Sequence, residues 1–143
     1  CIRDRRITVL LLDSSFIVAY SNEADINHTK ALQITKEIDT GKYGTAVITD
    51  YIFDEVATVM LIKTKNLTKV AELGETLINA AILLRIDEDL FNHAWKIFKE
   101  QKKPSLSFTD CTSIAACKTS GISNIATFDK DFQELTKLTI IGL

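Results

Sequence analysis

The sequence predicts an α/β domain with a mainly parallel sheet, and three observations carry that prediction. Short apolar runs alternate with helical stretches along the whole chain. The runs are unbroken and do not alternate with polar residues, as strands buried on both faces require. Hydrophobic residues make up 46% of the 143 residues, with one proline and five glycines. That is enough for a core, and too few breakers for a disordered or linker-rich chain. The length fits a single domain over residues 1–143.

Each element has a local reason. "ITVLLL", residues 7–12, is a buried strand that stops at Asp13 and hands over to a short helix in "SSFIVAYSN". "DINHTKALQITKEIDTG" is a longer amphipathic helix, with Gly41 and Gly44 punctuating its exit. "GTAVIT" is the second strand. "TDYIFDEVATVMLIKTK" opens a helix with Thr49 or Asp50 as cap, and "NLTKVAELGETLINA" returns as its hairpin partner. "AILLRI" is the third strand. "DEDLFNHAWKIFKEQKK" is an amphipathic helix with acids first and lysines last, as the helix dipole favours. In it Phe91, Trp95 and Phe98 read as core contacts, and His93, like His28 earlier, as structural or surface. "KPSLSF" is a loop, "TDCTSIAACKTSG" a helix leaving through Gly121, "NIATF" the fourth strand and "LTIIG" the fifth.

The formal net charge is −2, so bulk charge does not signal nucleic acid. Such a partner needs a local basic patch or metal ions to offset phosphate repulsion. Cys1, Cys111 and Cys117 are an odd number without framework spacing, which implies free thiols in a reducing, cytoplasmic setting. Cys111 and Cys117 fall on different faces of a helix and make a poor metal pair. No apolar run reaches the length of a membrane span. "CIRDRRITVLLLD" ends in Asp13 too early for a signal peptide and lacks a cleavage site. A chain that does not open on Met is expected either to have a few residues upstream of "CIRDRR" or to start at an artificial boundary.

Four acidic residues sit where acids need explaining. Asp13 ends the first strand, where ligands bind in open parallel sheets, although capping the next helix explains it too. Glu55 shares its helix face with Ile52, Val56 and Val59, an apolar stripe that admits glutamate only at its edge or paired. Asp110 lies on the stripe through Ser113, Ile114 and Cys117, with the dipole as its simpler explanation. Asp129 follows "NIATF" on the side of Thr127, and Asp131 either joins it or caps a short helix at "FQEL". If the topology is parallel, all of these reach the same end of the sheet. Converging carboxylates repel one another and raise one another's pKa values. A hard divalent cation, Mg²⁺ or Mn²⁺, removes that cost, and such a cluster can activate water and clamp a phosphodiester.

In these residues the chain resembles a PIN domain, and specifically the small toxin ribonucleases of VapBC toxin–antitoxin pairs. The resemblance runs from "LLLDSSFIVAY" to the C-terminus. It rests on Asp13 with Ser14 and Ser15, on "EADINHTKAL" with Asp25, His28 and Ala31, on Glu55, on Asp110 in "LSFTDCTSIAAC", and on Asp129 in "IATFDKDF". "CIRDRR" before the first strand is longer than many members show. The resemblance implies a three-layer α/β/α sandwich, metal-dependent RNA cleavage, a homodimer, and an antitoxin partner. It implies that Asp13, Glu55, Asp110 and Asp129 are the catalytic carboxylates and hold Mg²⁺ or Mn²⁺, with Asp131 as a companion metal ligand. Ser14, Thr109 and Thr127 are then hydroxyls that orient ligands or waters, with local capping as the alternative. Lys103 and Lys130 are candidates to hold phosphates of the RNA, or plain surface charge.

Other classes remain open on sequence. A haloacid-dehalogenase-like phosphatase wants a second Asp two residues after the first, where this chain has Ser15. A PIN-like nuclease of RNA processing without antitoxin, or a non-catalytic PIN-fold interaction module, shares the same pattern. "VATVMLI" and "LINAAILL", around residues 50–80, carry more apolar surface than one small domain needs, and are expected to supply a dimer or antitoxin interface.

Overall fold

The computed structural model describes residues 8–135 and 137–143. The expectations for Cys1, for "CIRDRR" and for Ile7 lie outside them. Twelve elements follow in order: β1 (Val9–Leu12), α1 (Ser14–Ser21), α2 (His28–Asp39), β2 (Thr45–Thr49), α3 (Asp50–Thr64), α4 (Leu67–Ala80), β3 (Ile82–Leu84), α5 (Glu88–Lys99), α6 (Phe108–Ser120), β4 (Asn124–Ala126), α7 (Asp131–Leu135) and β5 (Thr139–Ile141).

The five strands form one sheet in the order β3-β2-β1-β4-β5, and every pairing is parallel. Successive residues of a strand face opposite sides of the sheet. Leu10 and Leu11 of the central β1 are both fully buried, as are Val47, Ile48 and Ile125 beside them. Helices therefore cover both faces, and the architecture is the α/β/α sandwich expected. None of the helices in the described residues is long and apolar enough to cross a membrane.

The chain begins at the middle of the sheet, builds outward through β2 and β3, then returns to lay β4 on the other side of β1. The crevice beyond the carboxyl ends of β1 and β4 is thus the topological switch point, where parallel α/β sheets place their ligands. Asp13 follows β1 there, and Thr127 follows β4.

Two glycines hold this frame. Gly44 has φ of +81°, and a Cβ on it would meet the Thr8 carbonyl oxygen at 1.9 Å. That carbonyl accepts the Thr45 amide at 2.9 Å and starts the β1–β2 pairing. Gly142 has φ of +124°, and a Cβ there would lie 2.5 Å from the Thr127 carbonyl oxygen. Its close approach lets Ile141 accept the Thr127 amide at 3.0 Å, tying the last strand to the switch point.

One reading of α5 is corrected. Leu90 and Ala94 are buried, but Phe91 and Trp95 are 43% and 48% exposed. They stand on the rim of a surface aromatic group around Phe108, which also takes in Tyr51 and Phe98 at centroid distances of 5.2–6.4 Å. The apolar arc of α5 is wider than the face the core covers, so its outer members stay at the surface.

Candidate active site

Asp13 occupies the N-cap position of α1, yet its side chain makes no capping bond. Its carboxylate is 2% exposed and turned into the switch-point crevice. Oδ2 accepts from the Ser15 hydroxyl at 2.7 Å and from the Thr127 hydroxyl at 2.7 Å. Those hydroxyls lie 3.0 Å apart. With their protons given to Asp13, each oxygen accepts a backbone amide: Phe128 on Ser15 and Asp129 on Thr127, both at 3.0 Å. Asp13 Oδ1 is buried and has no hydrogen-bond partner among the described residues. The Asp13 amide donates to the Ala126 carbonyl at 3.0 Å, so the β1–β4 ladder runs right up to the site.

The other acids reach the same cleft from different elements. Glu55, on α3, accepts a hydrogen bond from the Ser14 hydroxyl. Asp110, on the first turn of α6, closes a capping box with Ser107. Its Oδ2 accepts the Ser107 amide at 2.9 Å, and its own amide donates to Ser107 Oγ at 3.1 Å. Asp129 follows β4, and its Oδ1 accepts the Asp131 amide at 2.9 Å. Asp13, Glu55, Asp110 and Asp129 all line one open cleft of about 580 Å³, joined at its margin by Asp25. Among the described residues no Lys, Arg or His lines it.

Burial and mutual repulsion both favour protonation of Asp13 and Asp110. Burial is the main force raising the Asp110 pKa, to about 7; the Ser107 amide opposes it, while the Asp13 and Asp129 charges add to the rise. Burial also raises Asp13, against the hydrogen bonds from Thr127 and Ser15. A cluster of this kind is held at a cost that a cation removes.

The remaining predicted positions divide. Ser14 and Thr127 stand in the network. Thr109 does not line the cleft, and its carbonyl accepts the Thr112 hydroxyl at 2.6 Å inside α6. Asp131 is exposed and lines a neighbouring cavity instead. The chain does not stay extended after β4, because Thr127 Oγ1 accepts the Asp129 amide and bends it. Asp129, not Asp131, then supplies the oxygen at the start of α7. Ser15, Ser107 and Asp25 were not singled out for the site by sequence reasoning. His28 is structural, its Nδ1 lying 2.7 Å from the Ala19 carbonyl oxygen.

Residues 10–138 match the PIN domain family. The chain belongs to the PIN-domain family. The 23S rRNA-specific endonuclease VapC20 of Mycobacterium tuberculosis is 26% identical to it over 124 residues, which cover 87% of this chain and 92% of that protein. The crystal structure of that VapC20, described as a Sarcin-Ricin loop cleaving toxin, superposes with a TM-score of 0.76 at 24% identity, covering 90% of this chain and 98% of the other. DNA-bound VapBC from Salmonella typhimurium superposes with a TM-score of 0.72 at 14% identity, covering 94% and 98%. At these identities the superpositions establish the fold.

PIN-domain nucleases are generally divalent-metal dependent. The donor chemistry of this PIN domain fits such an ion: hard carboxylate oxygens, no cation among them, and a buried Asp13 Oδ1 left without a donor. The spacing is that of an open cleft. Among the described residues no three His, Cys, Asp or Glu side chains are gathered to hold a metal as they stand. Glu55 and Asp110 are instead engaged with Ser14 and Ser107.

Proposed function

We propose that this chain is a divalent-metal-dependent endoribonuclease and the toxin of a toxin–antitoxin pair. The observation that carries the reading is the cleft at the β1/β4 switch point, lined by Asp13, Glu55, Asp110 and Asp129 with no cationic side chain among the described residues. The kinship with VapC20, an endonuclease of 23S rRNA, supports RNA as the substrate class. The similarity to VapBC complexes supports an antitoxin partner. A PIN fold kept only as a scaffold has no use for four carboxylates gathered in one cleft, two of them buried at a cost that their hydrogen bonds offset only in part.

In this reading the four carboxylates hold Mg²⁺ or Mn²⁺. Such an ion supplies positive charge at the scissile phosphate and acidifies water there. The rest of the work belongs to the chain. Ser15 and Thr127 fix the plane of Asp13 and leave Oδ1 free as a ligand. Ser14 steadies Glu55, and Ser107 aims Asp110 from the first turn of α6. The open form of the cleft suits an extended single strand or a loop of RNA, whose backbone is splayed enough to enter.

The test uses matched single-stranded RNA and DNA pools, incubated with the purified chain and either Mn²⁺ or EDTA. RNA cut only with Mn²⁺ supports the reading. Cutting that survives EDTA overturns metal dependence, and preference for DNA overturns the substrate class.

A further inference from the structure

Beside the acidic cleft lies a second cavity of about 820 Å³. Lys102 and Lys103 reach it from the loop after α5, Lys118 from the last turn of α6, and Lys130 from the turn before α7. Against these four stand the carboxylates of Glu100 and Asp131, so the cavity is cationic in a chain whose formal net charge is −2. None of the four lysines forms an ion pair; the pair found among the described residues, Lys42 with Glu37, lies elsewhere. Four ammonium groups drawn from three segments into one concavity repel one another, and an anion placed among them removes that repulsion.

The two hollows share a wall. Ser105 lines both. Asp129 faces the cleft, and the next residue, Lys130, faces the cationic cavity. The wall is pinned by Gln101. Its Oε1 accepts the amides of Ser105 at 3.2 Å and Leu106 at 2.9 Å, and its Nε2 donates to the carbonyls of Phe98 and Leu106, each at 3.1 Å.

We propose that this cavity is a binding site for the backbone phosphates of single-stranded RNA flanking the phosphate to be cut. The proposal rests on the ribonuclease reading of the cleft and extends it. The order of charges favours a polynucleotide over an acidic protein segment. A strand crossing Ser105 presents one phosphate to the carboxylate cleft, where a held dication neutralises it, and its neighbours to the lysines. An acidic peptide on the same path lacks that regular backbone repeat of charge, so its carboxylates have no set register across the two hollows.

The experiment measures binding of a fluorescein-labelled single-stranded RNA oligonucleotide, long enough to span both hollows, by anisotropy in EDTA across a salt series. It compares the unaltered chain, a variant with Lys102, Lys103, Lys118 and Lys130 all changed to Gln, the same four changed to Arg, and a control with Lys36, Lys63, Lys65 and Lys69 changed to Gln. The four-Gln cavity variant is expected to bind roughly tenfold or more weakly, and its slope of log affinity against log salt to fall by about 2–3, at ~0.7 per phosphate contact in single strands. The Arg variant should restore both, and the control should keep the slope of the unaltered chain. An unchanged slope in the cavity variant, or an equal fall in the control, overturns the cavity while leaving the cleft's function standing. No RNA binding by the unaltered chain at any salt overturns the cavity as a phosphate site, while the cleavage test with Mn²⁺ and EDTA decides the ribonuclease reading separately.

Discussion

Asp13 has one carboxylate oxygen held by two hydroxyls and the other without a donor. This asymmetry makes Thr127 a positioning residue of the site. Replacing it with the isosteric Val removes a donor from Asp13 and an acceptor from the Asp129 amide. Thr127→Val should cost about 1–3 kcal/mol of stability, measured by urea unfolding, and should lower RNA cleavage. Asp110 sets a pH dependence. Its folded pKa of about 7 lies above the ordinary 3.8, so between those values the native chain holds a proton that the unfolded chain has released. Stability of the metal-free protein should therefore fall as pH rises from about 4 through 7. Melting in EDTA at pH 5 and pH 8 tests this: the melting temperature should be higher at pH 5, and Asp110→Asn should flatten the difference. The four acids were legible in the sequence because carboxylates on apolar stripes, as at Glu55 and Asp110, and at the ends of buried strands, as at Asp13 and Asp129, stand out. Ser15 and Ser107 were not, because a serine at a helix start reads as a cap, and Ser107 is one. Asp131 stayed open between the cleft and a helix cap, because only the Thr127 turn, a tertiary detail, tells which of two aspartates faces the cleft.

At the scale of elements, the site depends on how β4 and β5 end. Gly142 packs against the Thr127 carbonyl in a backbone conformation that side chains avoid. Gly142→Ala should destabilise the fold by about 1–3 kcal/mol and reduce cleavage with it, although residue 142 touches no carboxylate of the cleft. Unfolding midpoints and cleavage rates measured together check this; an unchanged midpoint would contradict it. The strands and most helices were readable from unbroken apolar runs, caps and glycine exits. Thr49 does cap α3, accepting the Ile52 amide at 3.0 Å, and Gly121 does close α6 in a left-handed conformation. The faces of α5 were harder to read. Leu90 and Ala94 point inward, while Phe91 and Trp95, each one position further on, fall on the rim. Periodicity locates a stripe but not how much of it the neighbouring elements cover.

For the whole molecule, the order β3-β2-β1-β4-β5 converts separated acids into one site, by placing the ends of β1 and β4 side by side and carrying α3 and α6 over them. Leu61, Ile62, Leu67, Ile78 and Ile82 remain exposed along α3, α4 and β3. These side chains fall in the stretch that the sequence is expected to use for a dimer or antitoxin interface. Light scattering at micromolar concentration should give a dimer mass, and Ile62→Lys with Ile78→Lys should give a monomer; a monomer before substitution removes the dimer. The central claim is that the carboxylate cleft performs metal-dependent RNA cleavage. It is tested most directly by cleavage of one RNA pool, in Mn²⁺ and in EDTA, by the unaltered chain and by Asp110→Asn. Cleavage by the unaltered chain in Mn²⁺ alone, with a loss of at least about 100-fold in the variant, is the predicted result. Equal cleavage by the variant would contradict the account, because the activity would then belong to some other site.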